Sequence, residues 1–203
     1  MADIFKQRGP WLAAALAAGV FLLPACNAVE NSTQSATLFQ VVKMTGKDLS
    51  NQDQNYCLSD VLYVDPNTGA ASVVADPATV TFSATLLDPK STLGASAFND
   101  IIVTRYVVSY QRADGKNVEG VDVPYSFEGN LSLQVTVGTP AAATFIIVRE
   151  VAKQEPPLVN LKDAYPGDGI YVTAKVVFYG RDGANKAVTA TGYLAITFAN
   201  FAN

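Results

Sequence analysis

Residues 78–86 read Ala78-Thr79-Val80-Thr81-Phe82-Ser83-Ala84-Thr85-Leu86, an unbroken alternation of apolar and hydroxyl side chains. Successive side chains of a β-strand point to opposite faces, so this pattern describes a strand with one buried and one wet face. The same period returns where Leu131, Leu133, Val135 and Val137 alternate with Ser132, Gln134 and Thr136. Further strands are expected near 37–44, 58–65, 100–112, 143–152, 170–180 and 187–200, with short ones near 70–75 and 118–125. From residue 37 onward no stretch carries the 3.6-residue recurrence of an amphipathic helix.

Turn chemistry separates these runs: Asp65-Pro66-Asn67-Thr68-Gly69, Asp114-Gly115, Gly138-Thr139-Pro140, Pro166-Gly167-Asp168-Gly169 and Asp182-Gly183. Asp-Gly tolerates the positive φ of tight hairpin turns. The similar segments 112–117 and 181–186 both follow Tyr-bearing strands and both read as hairpins. About 8–10 strands alternating in this way predict an all-β fold, an antiparallel β-sandwich occupying residues 37–203.

Two segments resemble immunoglobulin-like and fibronectin type III domains. Ile102-Val103-Thr104-Arg105-Tyr106-Val107-Val108-Ser109-Tyr110, followed by Asp114-Gly115, is similar to their third strand and its turn. Leu161-Lys162-Asp163, with Tyr171 at the head of the next strand, resembles their tyrosine corner. The resemblance implies an architecture and no activity, because that architecture hosts many functions. A transmembrane β-barrel shares the alternation, but the chain ends Phe201-Ala202-Asn203 rather than on an aromatic.

Composition restricts the chemistry further. The 203 residues include no His, two Cys and one Trp. A Ser-His-Asp triad, a Cys-His pair and a His-bearing metal site are therefore excluded, as is a site built from four thiolates. A formal charge of −4 argues against a nucleic-acid partner, which needs a basic face.

The first 25 residues read as an export signal. Lys6 and Arg8 precede the apolar run 11–25, which is too short to span a bilayer as a helix. It ends in Leu23-Pro24-Ala25-Cys26, which resembles the lipobox of bacterial lipoprotein precursors. That resemblance implies cleavage before Cys26, a diacylglycerol on its sulfur, and a mature protein held in the bacterial cell envelope by lipid. Asn27 stands where Asp would be the inner-membrane retention signal, which points to the outer membrane. Residues 26–36 then form the lipidated Cys and a polar tether. Cleavage removes Trp11, the only Trp, and leaves Cys57 as the only free thiol, expected to be buried and inert.

Carboxylates are the remaining acid–base groups. Glu119, Asp122 and Glu128 form one candidate cluster for a carboxylate-based hydrolase. Asp163 with Asp168, or Asp60 with Asp65 and Asn67, offer oxygen ligands for Ca²⁺, though neither has the spacing of an EF-hand loop. The sequons at Asn31 and Asn130 and the absence of a phosphate-binding Gly-rich loop add no activity. Two surfaces are more distinctive. The segment 150–169, with Pro156-Pro157, Leu158, Val159, Leu161 and Tyr165, either caps one end of the domain or contacts a partner. If Val172, Ala174, Val176 and Phe178 face inward, Tyr171, Thr173, Lys175, Val177 and Tyr179 face out, a composition suited to protein contact.

The expected function is non-catalytic. It is a scaffold, adhesion or assembly role at the envelope, with the membrane and an unidentified envelope protein as partners. No cofactor, metal or catalytic residue is assigned. A Ca²⁺-dependent or carbohydrate-binding module is the alternative, with the hydrolase behind it.

Overall fold

The computed structural model describes residues 34–65, 67–92, 94–164 and 168–201. The segments expected to be the export signal, the lipobox with Cys26 and most of the tether lie outside the described residues. Where the sequence alternates, the structure buries every second side chain: Val80, Phe82 and Ala84 are buried, while the hydroxyl residues between them reach the surface.

The strands run in chain order β1 (Thr37–Lys47), β2 (Asp53–Gln54), β3 (Tyr56–Asp60), β4 (Tyr63–Val64), β5 (Ala71–Ser72) and β6 (Asp76–Leu86). They continue with β7 (Ile101–Gln111), β8 (Phe127–Val135), β9 (Ala141–Val148), β10 (Gly169–Asp182) and β11 (Ala187–Ala199). One sheet has the order β2-β1-β6-β9, a second β3-β11-β10-β7-β8, and β4 pairs with β5 apart from both. All pairings are antiparallel except β3 with β11, where Tyr56 lies beside Ala195 and Asp60 beside Ala199. The fold is all-β.

The two larger sheets share one core. Phe178 of β10 meets Phe82 of β6 edge-to-face at 4.8 Å between ring centres, and Phe82 stacks on Phe39 of β1 at 5.1 Å. Phe145 of β9 and Tyr106 of β7 complete the cluster around Phe178, at 5.4 and 6.2 Å. Tyr106 fits because Gly129 is its cross-strand partner on β8; a Cβ there would collide with the tyrosine ring. The Tyr110 hydroxyl also crosses between sheets, donating to the Ile147 carbonyl at 2.7 Å.

The registers define two ends. The start of β1, the 87–100 connection, the 136–140 turn and the β10–β11 turn lie together at one, called here the entry end. The 48–52 turn, the 112–126 loop and the 149–168 segment lie with the starts of β6 and β10 at the distal end.

Several expected boundaries move. The expected strand at 118–125 is a loop, because Gly120 takes φ +75° and Val118 and Val121 are exposed while Val123 is buried. β9 stops at Val148 rather than near 152, and the expected strand at 58–65 divides into β3 and β4. Only the second of the two similar turns closes a tight hairpin, with Arg181 opposite Ala187; the first opens the 112–126 loop. Tyr171 is 65% exposed, so it does not form the corner suggested by its position at the head of β10.

Phe178→Ala removes the ring on which three aromatic side chains, Phe82, Tyr106 and Phe145, converge. It is expected to cost about 3–5 kcal/mol of folding free energy, measurable by urea denaturation, whereas Val177→Ala on the outer face of the same strand should cost well under half that.

Candidate functional site

At the distal end, β9 gives way to a 3₁₀ turn, Val151–Gln154, held by Ala152 N–H to the Arg149 carbonyl at 3.1 Å and Lys153 N–H to the Glu150 carbonyl at 3.0 Å. This turn drives Lys153 inward until its side chain is 1% exposed. Its Nζ donates to Asp76 Oδ1 at 2.9 Å and to the Asp60 carbonyl at 2.7 Å. Asp76 opens β6 in one sheet, and Ser59 of β3 in the other donates its hydroxyl to Asp76 Oδ2 at 2.5 Å. One buried ion pair therefore ties both sheets to the turn Val151–Gln154. Burial pushes the Asp76 carboxyl above its ordinary range, against the opposing pull of the Lys153 ammonium and the Ser59 hydroxyl.

A cavity of about 290 Å³ opens beside this pair, lined among others by Lys47, Asp48, Leu49, Leu58 and Tyr63. Its rim charges are already engaged. Lys47 pairs with Asp53 at 2.9 Å. Asp48 accepts the backbone N–H groups of Gln52 and Ser50 and an N–H of Gln54; the Gln52 bond leads in holding its carboxyl below the usual range. Ser59 is fully buried with its proton committed to Asp76, so it is not presented to the cavity as a nucleophile. The geometry suits a structural tie under a shallow, mixed-polarity recess.

The carboxylates expected to work together are separated by local tasks. Glu119 accepts the Ser126 N–H and Asp122 the Val118 N–H within one loop, while Glu128 pairs with Arg105 on the outer face at 3.1 Å. Asp65 accepts the N–H groups of Asn67 and Thr68 to form its own turn, and Asp60 accepts those of Leu62 and Phe201. Asp163 and Asp168 are exposed. Among the described residues no group of three His, Cys, Asp or Glu side chains is placed to hold a metal ion. Asn130 is exposed on β8; Asn31, Tyr165, Pro166 and Gly167 lie outside the described residues.

No protein-family profile matches this chain, and no curated protein matches it.

Of the two readings of the 150–169 segment, the structure favours capping. Leu158 is fully buried and Leu161 packs against the core, from the 3₁₀ turn Leu158–Leu161. The inward set of β10 is Val172, Ala174, Val176 and Phe178, with Tyr171, Thr173, Lys175, Val177 and Tyr179 on the other face. Sequence reading missed Asp76, Ser59 and Lys153 as a set. The available signal was weak: one Lys beside Val151-Ala152, and an Asp immediately before a strand.

Removing Lys153 leaves a buried carboxylate with no cation. Lys153→Met is expected to cost about 3–5 kcal/mol near neutral pH. A raised carboxyl pKa contributes stability that is present below the unfolded value and is lost as pH rises through the folded one. Chemical denaturation should therefore show the variant regaining part of its loss on acidification towards pH 4, as Asp76 takes up a proton.

Cys57 is buried in β3, and burial, followed by the Asp76 charge, pushes its thiol up to about 12 from 9.0. Its contribution is complete below the unfolded value and is lost as pH rises through the folded one, so stability should fall between about pH 9 and 12 at up to ~1.4 kcal/mol per pH unit. Burial raises the Tyr110 hydroxyl in the same direction. Cys57→Ala should flatten the early part of that decline, and the thiol should react with Ellman's reagent only in denaturant.

Proposed function

We propose that this chain is a bacterial envelope lipoprotein, acylated at Cys26, whose immunoglobulin-like domain binds a protein partner and performs no catalysis. Strand order supports the domain assignment. With β1, β6, β7, β9, β10 and β11 taken as A, B, C, E, F and G, one sheet groups A, B and E and the other C, F and G, as in immunoglobulin constant-type domains. The fourth strand differs, since β8 lies beside C rather than beside E. Phe82 and Phe178 join B and F where antibody domains carry a disulfide, and Tyr106 on C packs there in place of the usual Trp.

The observation that carries the binding role is the outer face of the five-stranded sheet. Tyr171 and Tyr193 are 65% and 60% exposed, and Tyr56 is partly so. The three surround exposed Ala195: Tyr56 is its partner on β3, Tyr193 lies two residues before it, and Tyr171 faces Thr197 two residues after it. Tyr179 differs, because Arg105 lies 3.8 Å over its ring while also pairing with Glu128. Exposed, stiff aromatic side chains around a small residue provide large contact area at little entropic cost, the composition of interface centres.

Two experiments test the proposal. Cys26→Ala should abolish labelling by radioactive palmitate and leave the precursor uncleaved; labelling that survives removes the anchor. A photo-crosslinking residue replacing Ala195 should capture one envelope protein in intact cells, and Tyr171→Asp with Tyr193→Asp should abolish that adduct while leaving the thermal midpoint unchanged. An adduct insensitive to both changes removes the tyrosine face as the binding surface.

A further inference from the structure

The entry end carries a second surface of different chemistry. Leu38, Leu87 and Phe98 are 42%, 58% and 69% exposed there. Leu87 follows directly on β6 and donates its N–H to the Ala36 carbonyl at 2.9 Å, so it sits beside the point where the chain enters the domain. Phe98 lies in the 3₁₀ turn Ala97–Asn99, which Thr37 reaches by donating its hydroxyl to the Asn99 carbonyl at 2.9 Å. Gly183 of the β10–β11 turn packs against the backbone of Ala97 and Phe98, where a Cβ would come within 2.7 Å of the Phe98 Cα. That close approach fixes the turn that presents the phenyl ring.

The carboxylates of this end are committed to the protein itself. Asp100 accepts from Gln134, Thr136 and the Val137 N–H, and Asp182 is buried and accepts the N–H groups of Ala184 and Lys186. Asp88 accepts the Lys90 N–H. Lys90 and Arg181 are exposed. This end ties its acids to its own turns, exposes Lys90 and Arg181 together with Asp88, and holds three large apolar side chains in solvent.

We infer that the entry end is a membrane-contact surface, in which Leu87, Phe98 and Leu38 dip into the headgroup region of the bilayer that holds the lipid. The inference rests on acylation at Cys26 and extends it. Only ten residues separate that Cys from β1, and ten residues of chain span at most about 35 Å even when fully extended. β1 begins at the end where Leu87 and Phe98 are exposed, so the tether delivers this end, rather than the distal one, to the lipid surface. Exposed Leu and Phe side chains are the groups that enter the interfacial region of a bilayer, and the exposed Lys90 and Arg181 beside them meet lipid phosphates there. The tyrosine face and the distal cavity are then held clear of the membrane.

The test uses the mature acylated protein, which lacks Trp once residues 1–25 are removed. Phe98→Trp at the entry end and Leu49→Trp at the distal end each introduce a single fluorophore into full-length protein, which is purified from membranes and reconstituted into phosphatidylethanolamine–phosphatidylglycerol vesicles. Brominated acyl chains should quench the reporter at position 98 by about 1.5-fold or more, the response of a side chain at interfacial depth, and leave the one at position 49 unaffected. Leu87→Ser added to Phe98→Trp should weaken that quenching with no change in thermal midpoint. Equal quenching, or none, at the two positions in protein that floats with its vesicles overturns the inference alone. Protein that neither floats nor takes up palmitate overturns the anchor and the inference with it.

Discussion

Phe178 touches Phe82 across the interior, and the rest of the architecture is arranged so that these two rings meet. Their strands lie in different sheets and are neighbours of β1, β9, β7 and β11. Edge-to-face aromatic contact adds about 0.5–1.5 kcal/mol beyond the area it buries, and it fixes relative orientation, which aliphatic packing does weakly. Phe39, Phe145 and Tyr106 extend the cluster to three more strands. The constraint propagates outward through the pleat. Once Phe178 points inward, Tyr179 and Val177 must point outward, and the whole solvent face of β10 follows from one buried ring.

The buried ion pair works on a different principle. An ammonium and a carboxylate removed from water lose several kcal/mol of hydration each, and a pair returns that only when the remaining hydrogen-bonding positions are filled. Here Lys153 has a second acceptor in the Asp60 carbonyl, and Asp76 a second donor in Ser59. Net stabilisation over an apolar substitute of the same shape is therefore small, while the penalty for mispairing is large. Such an arrangement discriminates among packings. It accompanies the placement of Leu158 in the core and Lys153 beneath the recess.

Period two was readable because it depends on nearest neighbours along the chain. The faces of β6 and β10 follow from Phe82 and Phe178 and the alternation around them. What lay beyond reading depends on contacts between distant positions. Lys153 and Asp76 are 77 positions apart, and neither residue type in isolation suggests burial. The 118–125 stretch has three valines, which favour strands, yet Gly120 with positive φ and the Asp122 carboxylate on the Val118 N–H curl it into a loop. Tyr171 begins its strand as a corner tyrosine should, but the phase set by Val172 turns it to solvent. The candidate carboxylates illustrate the same limit: proximity in sequence brought Glu119 and Asp122 into one loop, where each accepts a backbone N–H of that loop.

Magnitudes decide what an apolar entry end does for a tethered domain. With the lipid proposed at Cys26, ten residues of intervening chain set an effective concentration of about 1 mM at the bilayer, so a contact worth about −4.1 kcal/mol is half occupied. Full burial of a Leu or Phe side chain is worth about 1.5–3 kcal/mol, and Leu38, Leu87 and Phe98 have roughly half their surface left to bury. Together they contribute on the order of 2–5 kcal/mol, the same size as the threshold. Seated and released orientations are then comparably populated, and the seat biases the domain without locking it. A domain that kept its tyrosine face at a fixed angle would meet only partners at that angle; one that seats and releases its entry end sweeps a range of angles.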